Sequence, residues 1–392
     1  MNKKWRDITR RFYCTARRSF VSNLLPPRLL EQLEDGADGD RDYPKLPFGL
    51  FINFMVRALF TVRKKPSTRN LAELSKRPAI QLTTGVQAVS HQAIADRLRS
   101  VDLDSLQVLF NHVNGAAHRL LRRQTAGRGG LKLFDCTSIE VAKERAPWAA
   151  DNGDKNAVRL ALGIHAGSDV PSVAFNASET TSDNTVFPAI VNTVKKGQVL
   201  VLDAGFTRLD DFKNIMDRGG FFVARMADIY KVQVLHSYKK PEGKQASVKS
   251  WESVTDERVR VGTPRCGGPL ETRRITWRDT ATGKNRVIWT NRFDLTAKRV
   301  FEIDCYRWRI EVQFRWLKSE LGLDHLPSFD MNGVQAFFLL VLLAWICLRI
   351  FDARQRGIPL DRFSCAAALN GWALAVENYL LTCNQSRHGY RA

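Results

Sequence analysis

Arg307, Glu311 and Lys318, within the run RWRIEVQFRWLK, set a carboxylate between two cations on one short stretch of the chain. On a helix of 3.6 residues per turn they fall within about 40° of one another. Ile310, Phe314, Leu317 and Leu321 flank that stripe on one side and Trp308, Val312 and Trp316 on the other, so both flanks are expected to be packed. A carboxylate between two cations and walled by apolar residues is not an ordinary solvated face. The bland alternative, an Arg–Glu pair one turn apart with an unrelated Lys, would contribute only about 0.3–0.5 kcal/mol. Two further carboxylates follow apolar runs: Asp135 in LKLFDCT and Asp203 at the end of VLVLD. Taken singly, an Asp after a strand often only caps a turn. Together with Glu311 the pair suits phosphoryl transfer, in which two divalent ions roughly 3.5–4 Å apart activate the attacking oxygen and stabilise the leaving one. Mg²⁺ (or Mn²⁺) prefers carboxylate oxygens and keeps several waters, so three acidic side chains suffice if the fold converges them.

Convergence requires a sheet. LKLFDCT (131–137), read as a strand ending at Asp135, VRLALGIHAG (158–167) and SVAFNAS (172–178) read as three strands. A helix is expected over 184–196, a buried strand at VLVLD (199–203), a helix over 208–218 and a strand at GFFVARM (220–226). That order matches an α/β, ribonuclease-H-like fold, a mixed sheet flanked by helices whose central strands deliver carboxylates to one edge. Residues 227–295, with VQVLHSY, RRITWRD and RVIWTNRF, read as a basic β-rich insertion. One helix over 296–321 closes the core, and HLPSF (325–329) breaks it from the apolar run 337–350. That run is shorter than the ~20 residues of a membrane span and reads as a core helix.

Residues 1–130 read as helical and basic. A short basic helix is expected over 1–21, an irregular stretch over 22–48 and renewed helix over 49–80. SHQAIADRL, from Ser90, suits either a helix-turn-helix or plain bundle packing. TAGRGG (125–130) marks a boundary. The expected organisation is 1–130 as a helical region, 131–226 with 296–352 as the core, 227–295 as the insertion, and 353–392 as a helical piece with a disordered tail.

Lys and Arg number 60 against 40 Asp and Glu, a net charge of +20. This favours a polyanionic partner, nucleic acid first. The excess gathers in 1–130 and 225–290 and leaves the carboxylate-bearing middle near neutral, so two basic lobes flank a candidate site. The seven cysteines show no zinc spacing and read as buried thiols of a reducing cytosol. No GxxxxGK[ST] loop or GxSxG elbow is present, which argues against a nucleotide-driven motor and acyl transfer. The N-terminus lacks the apolar core of a secretory signal.

The segment LFDCTSIE around Asp135, VLVLDAGF around Asp203, TNRFDLTA (290–297) and the R-x3-E-x6-K spacing of Arg307, Glu311 and Lys318 together resemble the DDE transposases of bacterial insertion sequences. The branch most similar is the insertion-sequence-four family, with its Y-x2-R-x3-E-x6-K signature, and the resemblance covers roughly 131–350. It implies Asp135, Asp203 and Glu311 as catalytic metal ligands for two Mg²⁺ or Mn²⁺ ions, and Arg307 and Lys318 as DNA-phosphate contacts. It implies cleavage at element ends, transfer of the freed 3′-hydroxyl into target DNA, a homodimer on paired double-stranded ends, and residence on the cytoplasmic nucleoid with no membrane role. The signature tyrosine would stand at position 304, where this chain has Asp304, which is expected to cost one phosphate contact and to repel that phosphate. Tyr306, two residues on, is rotated by about 200° and cannot replace it. Arg225 matches a recurrent family arginine and also suits a structural ion pair. Two other readings share these residues: a nuclease of the same fold without strand transfer, and a transposase-derived DNA-binding protein without cleavage.

Overall fold

The computed structural model describes residues 27–36, 43, 45–62, 65–121, 130–176, 183–226, 230–238, 247–262 and 269–354. The helices expected over 1–21 and 353–392 lie outside the described residues, apart from the end of one helix at Arg354. The chain divides into two compact units, Met1–Leu121 with Arg315–Ala392, and Arg122–Phe314.

In the first unit, α1 (Pro27–Gly36) begins on a proline, whose missing N–H costs nothing in a first turn, so part of the stretch expected to be irregular is helical. α2 (Phe48–Val62) buries Phe48, Phe51, Phe54 and Met55 completely. Three short helices follow: α3 (Thr68–Ser75), α4 (Pro78–Thr84) and α5 (His91–Ser100). Ser67 and Ser90 cap α3 and α5 by accepting from Asn70 N and Ala93 N. α6 (Leu103–Leu121) buries Leu106, Leu109, Phe110 and Val113.

The second unit is built on one sheet of eleven strands. β1 (Leu131–Val141), β2 (Ala150–Asn152), β3 (Lys155–His165) and β4 (Pro171–Asn176) form an antiparallel group. After α7 (Asp183–Asn192), β5 (Val199–Leu202) joins β1 in parallel. After α8 (Leu209–Asp217), β6 (Phe221–Arg225) joins β5 in parallel. Phe187, Phe206, Phe212 and Phe222 form the centre of the core where α7 and α8 cover this part of the sheet.

The strands expected to form an insertion extend this same sheet. β7 (Val232–Ser237), β8 (Ser247–Val248), β9 (Trp251–Val261), β10 (Leu270–Asp279) and β11 (Asn285–Thr290) continue it, with β11 antiparallel to β6. The order is β2-β3-β1-β5-β6-β11-β10-β9-β7, with β4 on β3 and β8 on β9.

The closing helix expected over 296–321 is two helices, α9 (Ala297–Cys305) and α10 (Trp308–Leu321), broken at Tyr306 and Arg307. Ile310, Phe314, Leu317 and Leu321 are buried as expected, but Trp308 is 52% exposed, so the second flank of α10 is packed only in part. α10 runs from the second unit into the first. α11 (Met331–Arg354) then packs on α2, α5 and α6, and Asn332 donates to the carbonyls of Arg99 and Val101 at the end of α5. The helix expected to belong to the core around the carboxylates therefore shares its buried surface with the N-terminal helices. Met331–Ile350 is long and apolar enough to cross a membrane by length and composition, and 89% of it is buried within the protein.

Candidate active site

The register of two parallel strands brings the first two carboxylates together. Leu133 of β1 lies opposite Val201 of β5, so two residues further along each chain Asp135 comes beside Asp203. Adjacent strands are about 4.8 Å apart. β1 does not end at Asp135, as expected from the sequence, but continues to Val141 on its antiparallel partner β3, where Asp135 faces Leu162. β5 stops at Leu202, which leaves Asp203 at the start of a turn with its side chain 41% exposed.

Glu311 enters from the first turn of α10. Arg307 sits in the break before that helix, its side chain 6% exposed, with Nη1 2.5 Å from Glu311 Oε1 and 3.5 Å from Asp203 Oδ2. One guanidinium therefore joins the second and third carboxylates. α10 is held in place by Arg309, which donates to both oxygens of Asp169 at 3.1 and 2.8 Å. Asp169 stands in the turn between β3 and β4 at φ 56°, a left-handed conformation that Asp tolerates better than most residues.

Burial pushes the Asp135 carboxyl up to about 7. The charges of Asp203 and Asp183 push the same way, and the Cys136 N–H bond (2.8 Å) and Arg307 pull back only in part. Loss of water around this carboxyl outweighs the neighbouring charges in setting its pKa. Among the described residues, no three His, Cys, Asp or Glu side chains stand close enough to hold a metal ion. Between Asp203 and Glu311 the intervening cation is Arg307.

Asp183, at the start of α7, was not singled out by its sequence pattern. It pairs with Arg159 of β3 and packs so tightly on Gly205 that a Cβ there would lie 2.2 Å from Asp183 Oδ2. Beside it, Asn184 donates to Thr207 Oγ1 (2.9 Å) and accepts from Thr207 N (2.8 Å). The start of α7 thereby grips both sides of the turn that follows Asp203. The legible signal was Gly205, which a tight approach requires.

Asp304 is not placed to repel a phosphate, contrary to expectation. Its carboxylate is fully buried and accepts from Arg225 (3.2 and 3.3 Å) and from Arg286 (3.0 Å). Arg225 is correspondingly a partner in an ion pair. Lys318 stands seven residues beyond Glu311 on α10, half-buried. Burial lowers the pKa of its amine, against the opposing charge of Asp324. Of the thiols, Cys347 is buried, but Cys305 is exposed and Cys136 intermediate, so burial does not describe all three.

The sequence profile of the family described as "Transposase DDE domain" matches residues 128–347, more than half of the chain. The chain belongs to the DDE transposases. A relative from Geobacillus stearothermophilus, described as "Probable transposase for insertion sequence element IS5377", is 26% identical over 67% of this chain and 68% of its own length. A relative from Sinorhizobium fredii, described as "Putative transposase y4zB", is 26% identical over 65% of this chain and 70% of its own length. A solved structure of the piggyBac transposase in a synaptic complex with hairpin DNA is similar with a TM-score of 0.45 at 9% identity, over 85% of this chain and 72% of that one. The protein is an insertion-sequence transposase, an enzyme acting on DNA, and its net charge of +20 suits that partner.

Proposed function

We propose that Asp135, Asp203 and Glu311 are the catalytic carboxylates of this transposase and hold two Mg²⁺ or Mn²⁺ ions, with Arg307 and Lys318 contacting DNA phosphates at the cut end. The observation that carries this reading is the meeting of two neighbouring parallel strands and α10 around one buried arginine. Supporting it, the donor set is all hard carboxylate oxygen, and the Asp135 carboxyl, raised mainly by burial, would be favoured in its ionised form by a nearby cation. When bound, the ions would supply Lewis-acid stabilisation of the charge that develops in phosphoryl transfer. Arg307 would turn from its carboxylate partners toward phosphate oxygens, offering a fixed, planar donor to the transferring group. The strand order β4-β3-β1-β5-β6, with two antiparallel pairings followed by two parallel ones, supports a ribonuclease-H-like core. The R-x3-E-x6-K spacing supports the insertion-sequence-four branch. The reaction is hydrolytic nicking at element ends followed by strand transfer of the 3′-hydroxyl, by a homodimer on paired ends at the nucleoid. α3, α4 and α5, with the basic residues around them, belong to the region that binds those ends.

Glu311→Ala tests the reading. Mg²⁺-dependent cleavage of an end-containing duplex should fall at least about a thousandfold, as for loss of a transition-state group. Binding of that duplex at low salt should persist, because it rests on the basic regions. Cleavage that survives the substitution would remove Glu311 from the site.

A further inference from the structure

We infer that Asp304 is a positioning residue. It bolts the break between α9 and α10 to the sheet, and thereby sets where Arg307 and Glu311 stand. The inference rests on the carboxylate assignment proposed above.

Every contact of Asp304 points to an anchor and none to a substrate. Its side chain has no solvent exposure, so no phosphate reaches it. Its two oxygens accept from guanidinium groups on two neighbouring antiparallel strands, Arg225 on β6 and Arg286 on β11, where Arg225 lies opposite Ile288. Arg286 is itself clamped, its guanidinium 4.3 Å from the Trp251 ring centre and 5.2 Å from that of Phe301. On the other side, the Asp304 carbonyl accepts from the backbone N–H of Arg307 at 3.0 Å, and the Arg307 carbonyl accepts from Ile310 N at 3.1 Å. The chain of contacts therefore runs from two strands through Asp304 to the residue that touches both Asp203 and Glu311.

Neither Gly nor Pro occurs at the break, so local backbone preference does not end α9 there. The tertiary ion pairs do. A neutral phenol at position 304 would leave two partly buried arginines without a counter-charge. The departure from the signature thus exchanges a residue that faces DNA for one that faces the sheet.

Asp304→Asn keeps the size and loses the charge, and Arg286→Met removes the far partner, which touches no carboxylate of the site. Each should lower the cleavage rate about 10- to 100-fold, the scale of a displacement near 1 Å in a catalytic group. Each should also raise the Mg²⁺ concentration needed for half-maximal cleavage, while affinity for the end duplex stays within about twofold. Loss of folded protein alone would lower the amount of active enzyme and leave the Mg²⁺ dependence unmoved. Asp304→Tyr, which restores the signature, should be no better than Asp304→Asn. Wild-type rate and Mg²⁺ dependence in both Asp304→Asn and Arg286→Met, or an Asp304→Tyr enzyme at or above wild type, overturns the inference. Glu311→Ala run in the same assay separates the two readings: if it abolishes cleavage while those variants behave as wild type, only the anchor falls.

Discussion

An ionised Asp135 works against the fold of the metal-free chain. Its carboxyl is pushed up to about 7 when folded, whereas the same group in an unfolded chain titrates near 4. Between those values the folded state holds a proton that the unfolded state has released, so this residue's contribution to stability falls as pH rises from about 4 to 7. The full difference corresponds to roughly 4 kcal/mol as a ceiling. Asp135→Asn cannot ionise and should stabilise the metal-free protein by about 1–4 kcal/mol above pH 7 and by almost nothing near pH 4. Thermal unfolding of both forms in chelator across that range measures it, and an equal effect at both ends would show that charge is not the cause. Such a trade of stability for a concentrated charge is what the cation site proposed for this carboxylate would require.

At the scale of elements, the turn after β5 depends on how closely α7 approaches it. Gly205→Ala would place a methyl group 2.2 Å from Asp183 Oδ2, and that carboxylate cannot swing away without leaving Arg159. The substitution should cost about 1–3 kcal/mol and lower cleavage by shifting Asp203. Asp183→Ala combined with Gly205→Ala should recover part of the space, and a double variant no better than the single would place the strain elsewhere. This turn shows what the sequence made legible. β1 and β5 were readable because buried strands demand near-continuous apolar runs, and so both Asp residues were found. β9 was not, because WESVTDERVRV carries charge on both faces. Asp256 and Glu257 pair with Arg273 and Arg274 on β10, a pairing invisible before the strands are aligned. The break at Tyr306 was hidden for the same reason, since Asp304 just before it pairs with Arg225, 79 residues away.

The whole molecule is discontinuous in sequence, and this decides where it can be cut. The Gly-rich stretch 125–130 suggested a domain boundary, yet α11, two hundred residues later, buries its apolar surface on α2, α5 and α6. Residues 130–392 expressed alone would leave α11, whose apolar side chains are almost all buried in the whole chain, without these partners. Each such side chain is worth about 1.5–3 kcal/mol when buried, so a helix stripped of them drives association rather than remaining in water. The fragment should elute as large aggregates and bind a hydrophobic dye. Residues 1–129 supplied as a separate chain should restore a soluble species by covering the same helix. A monodisperse fragment 130–392 without that partner would mean that α11 finds another surface, and that the N-terminal helices could be exchanged as a module between transposases.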